Sequence, residues 1–240
     1  MTETLFEYDH ILMRSEYRTP DPHAHLAAHL IIGLNTALHC SVEGKSLVTD
    51  AIFIASDKIH TAYSESGEML VFLFDATSRY AERIERCYLS GNAFCALENQ
   101  QVEAVRTLWH TNSDSLKAAD FLILDYLELT QKNAAEIDDR VSETLKHIRE
   151  MDEIPENAVS CLCNHICLSK SRLSHLFKEN LGISLSRYLA MEKMRKGYMH
   201  FQKYGNITEA AMHAGFDSPS HFAATCKRMF GISFSEFIRS

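Results

Sequence analysis

The C-terminal third of the chain states one structural phrase twice. In "ITEAAMHAGFDSPSHFAATCKRMFG", residues 207–231, a short helical pattern stops at Ala214-Gly215-Phe216 and a second one begins at Ser218. Ser218 is a good N-cap, and Pro219 follows at the first helical position, where its missing N–H costs nothing. Gly215 suits the left-handed backbone of a sharp turn, while Ala210 and Ala211 are small enough for the second helix to cross close by. Phe222, Cys226 and Met229 form the buried stripe of that helix, leaving Pro219, Ser220, Ala223 and Ala224 outward. Upstream, "ENAVSCLCNHICLSKSRLSHLFKENLGIS" repeats the phrase: a helix around residues 159–165, a turn, a cap at Ser169, and a second helix with Leu173, Leu176 and Phe177 inward. The two caps lie 49 positions apart, and both copies close alike, "FKENLGIS" against "CKRMFGIS".

Between the copies, Leu185, Tyr188, Met191, Met194, Tyr198 and Phe201 recur at helical spacing, with Arg187, Lys193, Arg195, Lys196 and Lys203 elsewhere on the surface. One continuous helix of about 20 residues is a strut of roughly 30 Å. That length is close to the ~34 Å between successive major-groove openings on one face of a duplex. A single chain then offers two recognition helices to two grooves.

Charge is distributed to match. The chain as a whole is acidic, at −8, but residues 1–137 hold 10 Lys+Arg against 20 Asp+Glu, whereas residues 158–240 hold 11 against 5. An acidic domain joined to a polyanion-binding one is expected. With 240 residues and 46% apolar content there is enough chain for two cored domains. No run approaches the length of a membrane span, and the start is acidic rather than a signal region, so a cytoplasmic protein is expected. Seven scattered cysteines suit reduced thiols.

The N-terminal half reads as β. "HLIIGL", "LHCSVEG", "AIFIAS" and "MLVFLFD" are short β-branched or aromatic runs cut by Gly, Asp and Ser. From Ser78 the period becomes helical, through Trp109 and the nearly all-apolar "FLILDYLEL". That helix is apolar over too much of its circumference for a solvent-facing element, and burial against a second subunit explains the excess. The expected fold is therefore α+β and multidomain: residues 1–76 a small β-barrel or sandwich, 77–136 a helical dimerisation and linker segment, 137–240 an all-α double helix-turn-helix.

The last hundred residues resemble the DNA-binding domain of the AraC/XylS family of bacterial transcription regulators. The resemblance rests on Leu168-Ser169, Leu173, Phe177-Lys178, Gly215-Phe216, Ser218, Phe222, Lys227 and Gly231. Cys226 stands where the family has Phe, Phe234 where it has Pro, and Cys167 where Gly often makes the first turn. The resemblance implies base-reading positions at Ser171, Ser174 and His175 in the first recognition helix and at Pro219, Ser220, Ala223 and Ala224 in the second. None of these makes the bidentate Arg–guanine or Asn/Gln–adenine pairing, so direct readout is thin, and the second unit is expected to rely on thymine methyls and shape. Ser169, Lys170, Arg172, Lys178, Lys196, Ser218, Lys227 and Arg228 are the expected phosphate contacts, which position without specifying sequence. The resemblance further implies double-stranded DNA and RNA polymerase as partners, a homodimer, no membrane, and a cupin-like effector domain at the N-terminus.

In that domain "PHAHLAAHL" resembles a first cupin motif and "IASDKIH" a later strand, bringing His23, His25, His29 and His60 into question. On one strand, residues 23, 25 and 29 share parity and face one side. Such imidazoles suit Zn, Ni or Fe; the other reading is a polar cluster lining a pocket for an organic effector, to which Tyr63, Asn35 and "VFLFD" also belong. The leading expectation is an effector-controlled, sequence-specific DNA-binding regulator and not an enzyme. The alternatives are a metal-dependent cupin dioxygenase or isomerase with a helical appendage, and a partner-controlled architectural protein. Cys161, Cys163 and Cys167 read as small core and turn residues, with a thiol switch or metal clip as the other possibility.

Overall fold

The structure, a computed structural model, describes residues 3–16, 22–65, 67–130, 137–230 and 234. These divide into two compact units, one built chiefly on residues 3–130 and the other on residues 137–226. Of the segment "QKNAAEI", which reads as a linker, residues 131–136 lie outside the described residues, as does Gly231.

The first unit contains strands β1 (Glu3–Phe6), β2 (His10–Glu16), β3 (Ala28–Gly33), β4 (Leu38–Val42), β5 (Lys45–Thr49), β6 (Ala51–Ile54), β7 (His60–Ser64), β8 (Glu68–Phe74) and β9 (Phe94–Ala96). It adds helices α1 (Arg79–Ile84), α2 (Asn99–Thr111) and α3 (Leu116–Tyr126), with a π-helical turn, Glu85–Leu89, after α1. Among the described residues the strands form a six-stranded sheet, ordered β1-β2-β8-β3-β6-β9, and a three-stranded one, β5-β4-β7, with antiparallel pairing throughout.

Strand parity decides what each face of the large sheet covers. Ile31, Ile52, Ile54 and Met69 share a core with Leu38, Cys40, Val42 and Ala62 of the small sheet. Their neighbours Leu30, Ile32, Phe53, Leu70, Phe72 and Phe74 point the other way, into a core with Val102, Val105 and Trp109 of α2 and Ala119, Ile123 and Leu124 of α3. Burying one such side chain contributes roughly 1.5–3 kcal/mol. Much of the apolar excess in "FLILDYLEL" is therefore covered within its own unit, although Phe121 and Tyr126 of α3 remain 59% and 42% exposed. Arg106 ties α2 to the sheet by donating to the Gly33 carbonyl and to Asp50, both at 2.9 Å.

A polar link joins α3 to the same sheet. The buried His10 ring on β2 donates from Nδ1 to Asp9 at 2.9 Å and from Nε2 to Asp120 at 2.8 Å. Burial alone lowers the pKa of an imidazole, but hydrogen bonds to Asp120 and Asp9 and their charges outweigh it and raise His10 to about 10. With both nitrogens donating to carboxylates, the ring is a buried cation.

The second unit is helical: α4 (Asp139–Glu150), α5 (Ala158–Ile166), α6 (Lys170–Leu181), α7 (Leu185–Tyr204) and α8 (Ile207–His213), with α9 (Pro219–Phe230) following. Val141, Leu145 and Ile148 of α4 pack with Leu162 of α5, Leu173 and Phe177 of α6 and Tyr188 of α7. Where α7 and α9 cross, a Cβ on Gly197 would come within 2.8 Å of the Phe222 ring, so glycine sets the approach distance.

The order of β before α is as expected, but the strands reach beyond the four quoted runs, the first of which begins at His29. β1 and β2 precede those runs, and β9 interrupts the segment expected to be helical from Ser78 on. β2 lacks an alternating pattern because His10, Ile11, Leu12 and Met13 are all buried, which erases the period-2 signal of a half-exposed strand.

Candidate nucleic-acid interface and histidine cluster

In the duplicated segment α6, α7, α8 and α9 each start on a side-chain cap, whereas α5 starts at Asn157 without one. Ser169 accepts from the Arg172 amide and Ser184 from that of Arg187, both at 3.3 Å; Asn206 caps α8 at 3.0 Å, and Ser218 accepts from His221 at 3.1 Å. The turns differ. In the second, Gly215 has φ 83, and an added Cβ would lie 2.4 Å from the Ile154 carbonyl oxygen, so both backbone and space require glycine. In the first, Cys167 adopts the left-handed conformation at φ 57, a strained position for a residue with a Cβ.

The expected base-reading residues lie on the outward faces of α6 and α9. On α6, Ser171 and His175 are exposed and Ser174 is half-buried; on α9, Ser220 and Ala224 are exposed and Pro219 and Ala223 half-buried. Leu173, Leu176 and Phe177 lie on the opposite face of α6, and Phe222, Cys226 and Met229 on that of α9. His175 Nδ1 stands 3.6 Å from Glu179 Oε2. Lys170, Arg172, Lys178, Lys227 and Arg228 are exposed. The hydroxyls of Ser169 and Ser218 accept the cap bonds and keep their protons to donate.

The strut's cations are engaged differently from expectation. Lys196 is half-buried with its ammonium on the Met151 carbonyl at 2.5 Å, and burial, with Arg195 beside it, lowers its pKa. Its expected phosphate contact competes with that bond. Lys193 donates to the Gly215 carbonyl at 2.6 Å and lies over the Phe216 ring, bracing the second turn. Arg195 is paired with Glu192 at 2.8 Å. Exposed positive charge therefore lies on α6 and α9 more than on α7.

One residue escaped the sequence reading. His221, exposed in the first turn of α9, donates from Nδ1 to Asp217 at 2.9 Å, so Nε2 is the nitrogen left for a further contact beside Ser220 and Ala224. The Asp–His spacing of four across a helix start was the available signal.

In the first unit the four histidines come together, by a different route from shared strand parity. Only His29 is on β3; His25 is in the preceding loop, and His23 forms an isolated bridge with His60 at the start of β7. His29 shares parity with Ile31 and His60 with Ala62, so both face the space between the sheets. Ring centroids are 4.7 Å apart for His23–His60, 5.5 Å for His23–His25, 4.4 Å for His25–His29 and 4.5 Å for His29–His60. Burial, then the neighbouring imidazoles, lowers His25 to about 3; burial chiefly lowers His60 to about 4 and holds His29 well below the ordinary value. The buried rings are neutral. Tyr63 stacks on His39 and has the opposite parity to His60, and Asn35 donates to Glu68 at 2.5 Å, so neither joins the cluster.

The seven cysteines are free thiols, with Cys161 and Cys163 half-buried and Cys167 exposed. Among the described residues, the group gathered closely enough to share a metal ion is His23, His25 and His60. No described helix is long and apolar enough to cross a membrane.

Comparison with known proteins agrees with the helical geometry. A family model described as a helix-turn-helix domain matches residues 162–240. The arabinose operon regulatory protein of Escherichia coli K12 is 30% identical over 102 residues, 42% of this chain and 35% of that protein. Its counterpart in Salmonella typhimurium is 29% identical over 102 residues, 42% of this chain and 36% of that protein. The match thus spans about a third of the length of these curated relatives. Among solved structures, ToxT from Vibrio cholerae O395 aligns over 99% of this chain and 97% of its own, at 11% identity and a TM-score of 0.48.

Proposed function

We propose, from the premise that residues 162–240 form a helix-turn-helix domain of the AraC type, that this chain is a sequence-specific DNA-binding transcriptional regulator. The observation that carries the reading is the pair α6 and α9. Each is capped, each presents small polar or apolar side chains outward, and they are separated by the 20-residue α7. The ~30 Å of such a helix matches the repeat of the major groove.

Exposed Lys170, Arg172, Lys178, Lys227 and Arg228 hold phosphates; Ser171, Ser174, His175 and His221 read base edges; Pro219, Ser220, Ala223 and Ala224 fit thymine methyls and groove shape. The first unit senses a small molecule or ion through the histidine cluster. Phe121 and Tyr126 on α3 form part of a homodimer contact, since large exposed aromatics mark interaction sites. The protein works in the cytoplasm, contacts RNA polymerase, and catalyses no reaction.

Selection of bound sites from genomic fragments with the full-length chain, at two salt concentrations, tests this. A motif spanning two major-groove segments about one turn apart, with a steep salt dependence, is expected. Binding of fragments without any common motif, with and without added metal ions and cell extract as a source of effector, refutes it.

A further inference from the structure

We infer that His23, His25 and His60 form a site for a divalent transition-metal ion of the zinc, nickel or iron(II) class. One ligating atom from each of the three lies within 4.8 Å of the other two, and the group contains imidazoles alone. An ion about 2.0–2.1 Å from each nitrogen brings tetrahedral ligands to about 3.3 Å apart, a contraction within reach of side-chain rotation. All-nitrogen donors select these ions over magnesium or calcium, which take oxygen.

Two features of the cluster lack another explanation. First, Nε2 of His25 and Nδ1 of His29 are buried with no hydrogen-bond partner. An orphaned buried polar atom costs roughly 1–3 kcal/mol, and here two occur side by side among rings that an apolar core would replace without loss. Second, His60 is already oriented as a ligand. Its Nδ1 donates to the Lys58 carbonyl at 2.8 Å, which places the lone pair on Nε2. A backbone carbonyl fixing the far nitrogen is the usual support of a metal-bound imidazole. His25 is less prepared: its Nδ1 accepts from the Ala27 amide over a long 3.3 Å, a bond that ligation through Nε2 gives up as the ring proton changes sides.

Three protein ligands leave a fourth position open, and His29, 4.4 Å from His25 and 4.5 Å from His60, stands behind the group as a further imidazole. On the regulator reading given above, the ion is the effector that the first unit senses; the site itself does not depend on that reading.

The test uses the untagged full-length chain, stripped with EDTA, dialysed, and titrated with zinc sulfate and cobalt chloride in the absence of DNA. About one ion per chain is expected, with affinity lowered at least about ten-fold in His25→Ala and His60→Ala and unchanged in His39→Ala, which lies outside the cluster. His60→Gln, close in size to histidine, is read together with far-ultraviolet circular dichroism to separate loss of a ligand from loss of fold. The cobalt-loaded wild-type chain shows the visible absorption of nitrogen-ligated Co²⁺ without need of any variant. A wild-type chain that takes up no ion, or equal binding by folded His60→Gln, overturns the proposal. Failure of site selection on DNA leaves this titration intact, and failure of the titration leaves the DNA result intact.

Discussion

His10 on β2 and Asp120 on α3, 110 positions apart, meet at 2.8 Å in a buried ion pair that pins the helix to the sheet. Removing Asp120 leaves Asp9 to balance the charge but strips the buried Nε2 of its acceptor. Asp120→Ala is expected to destabilise the first unit by about 1–3 kcal/mol, measured by urea unfolding. The pH dependence follows from the direction of the shift. His10 is raised from 6.5 to about 10 in the folded chain, so the folded state binds more protons between those values. Its contribution is complete below about 6.5 and is lost as pH rises toward 10, at up to ~1.4 kcal/mol per pH unit. A His10→Ala chain that keeps the same decline in stability from pH 7 to 9.5 would show that the pair is not its source.

Cys167 occupies a left-handed turn position with φ 57. A residue with a Cβ there costs roughly 1–2 kcal/mol, and glycine relieves it. Cys167→Gly is expected to stabilise the second unit by about 1 kcal/mol, since glycine also gains freedom in the unfolded chain. Denaturant midpoints of the two chains decide the sign.

Gly215 has the opposite prospect. Its φ of 83 and the Ile154 carbonyl oxygen 2.4 Å from an added Cβ penalise Gly215→Ala twice. A loss of at least about 2 kcal/mol is expected. Because Lys193 binds the Gly215 carbonyl, the change also unseats α8 against α7. An unchanged unfolding midpoint would count against this account of the turn.

The helix-turn-helix pair was legible because its signals are local: a cap, a proline at the first helical position, a turn glycine, and apolar spacing all fall within about 25 residues. The sheet was less so. β1 and β9 are short, and β2 is buried along its length and shows no alternation. The histidine cluster was legible as composition, but parity was the wrong route, because His23 and His25 are placed by a loop and by the bridge to His60. His10 with Asp120 had no local signature at all. The loss of Lys196 from the exposed charges depends on the backbone at Met151, 45 positions away, which no periodicity reveals.

Lys170 and His175 lie on the same helix, α6, both exposed, and should fail differently. Lys170 stands in the first turn, where an ammonium meets phosphate as a point charge, so Lys170→Ala is expected to weaken binding equally on all sequences. The slope of log affinity against log salt should fall by about 0.9. In the proposed complex His175 meets a base edge, with Glu179 3.6 Å from its Nδ1. His175→Ala should cost about 1–3 kcal/mol on the preferred sequence, little on random DNA, and leave the salt slope unchanged. Binding isotherms for both variants, on selected and random duplexes at three salt concentrations, separate the two roles. Equal losses on both DNAs for His175→Ala would move that residue from the base-reading set to the phosphate-contacting one.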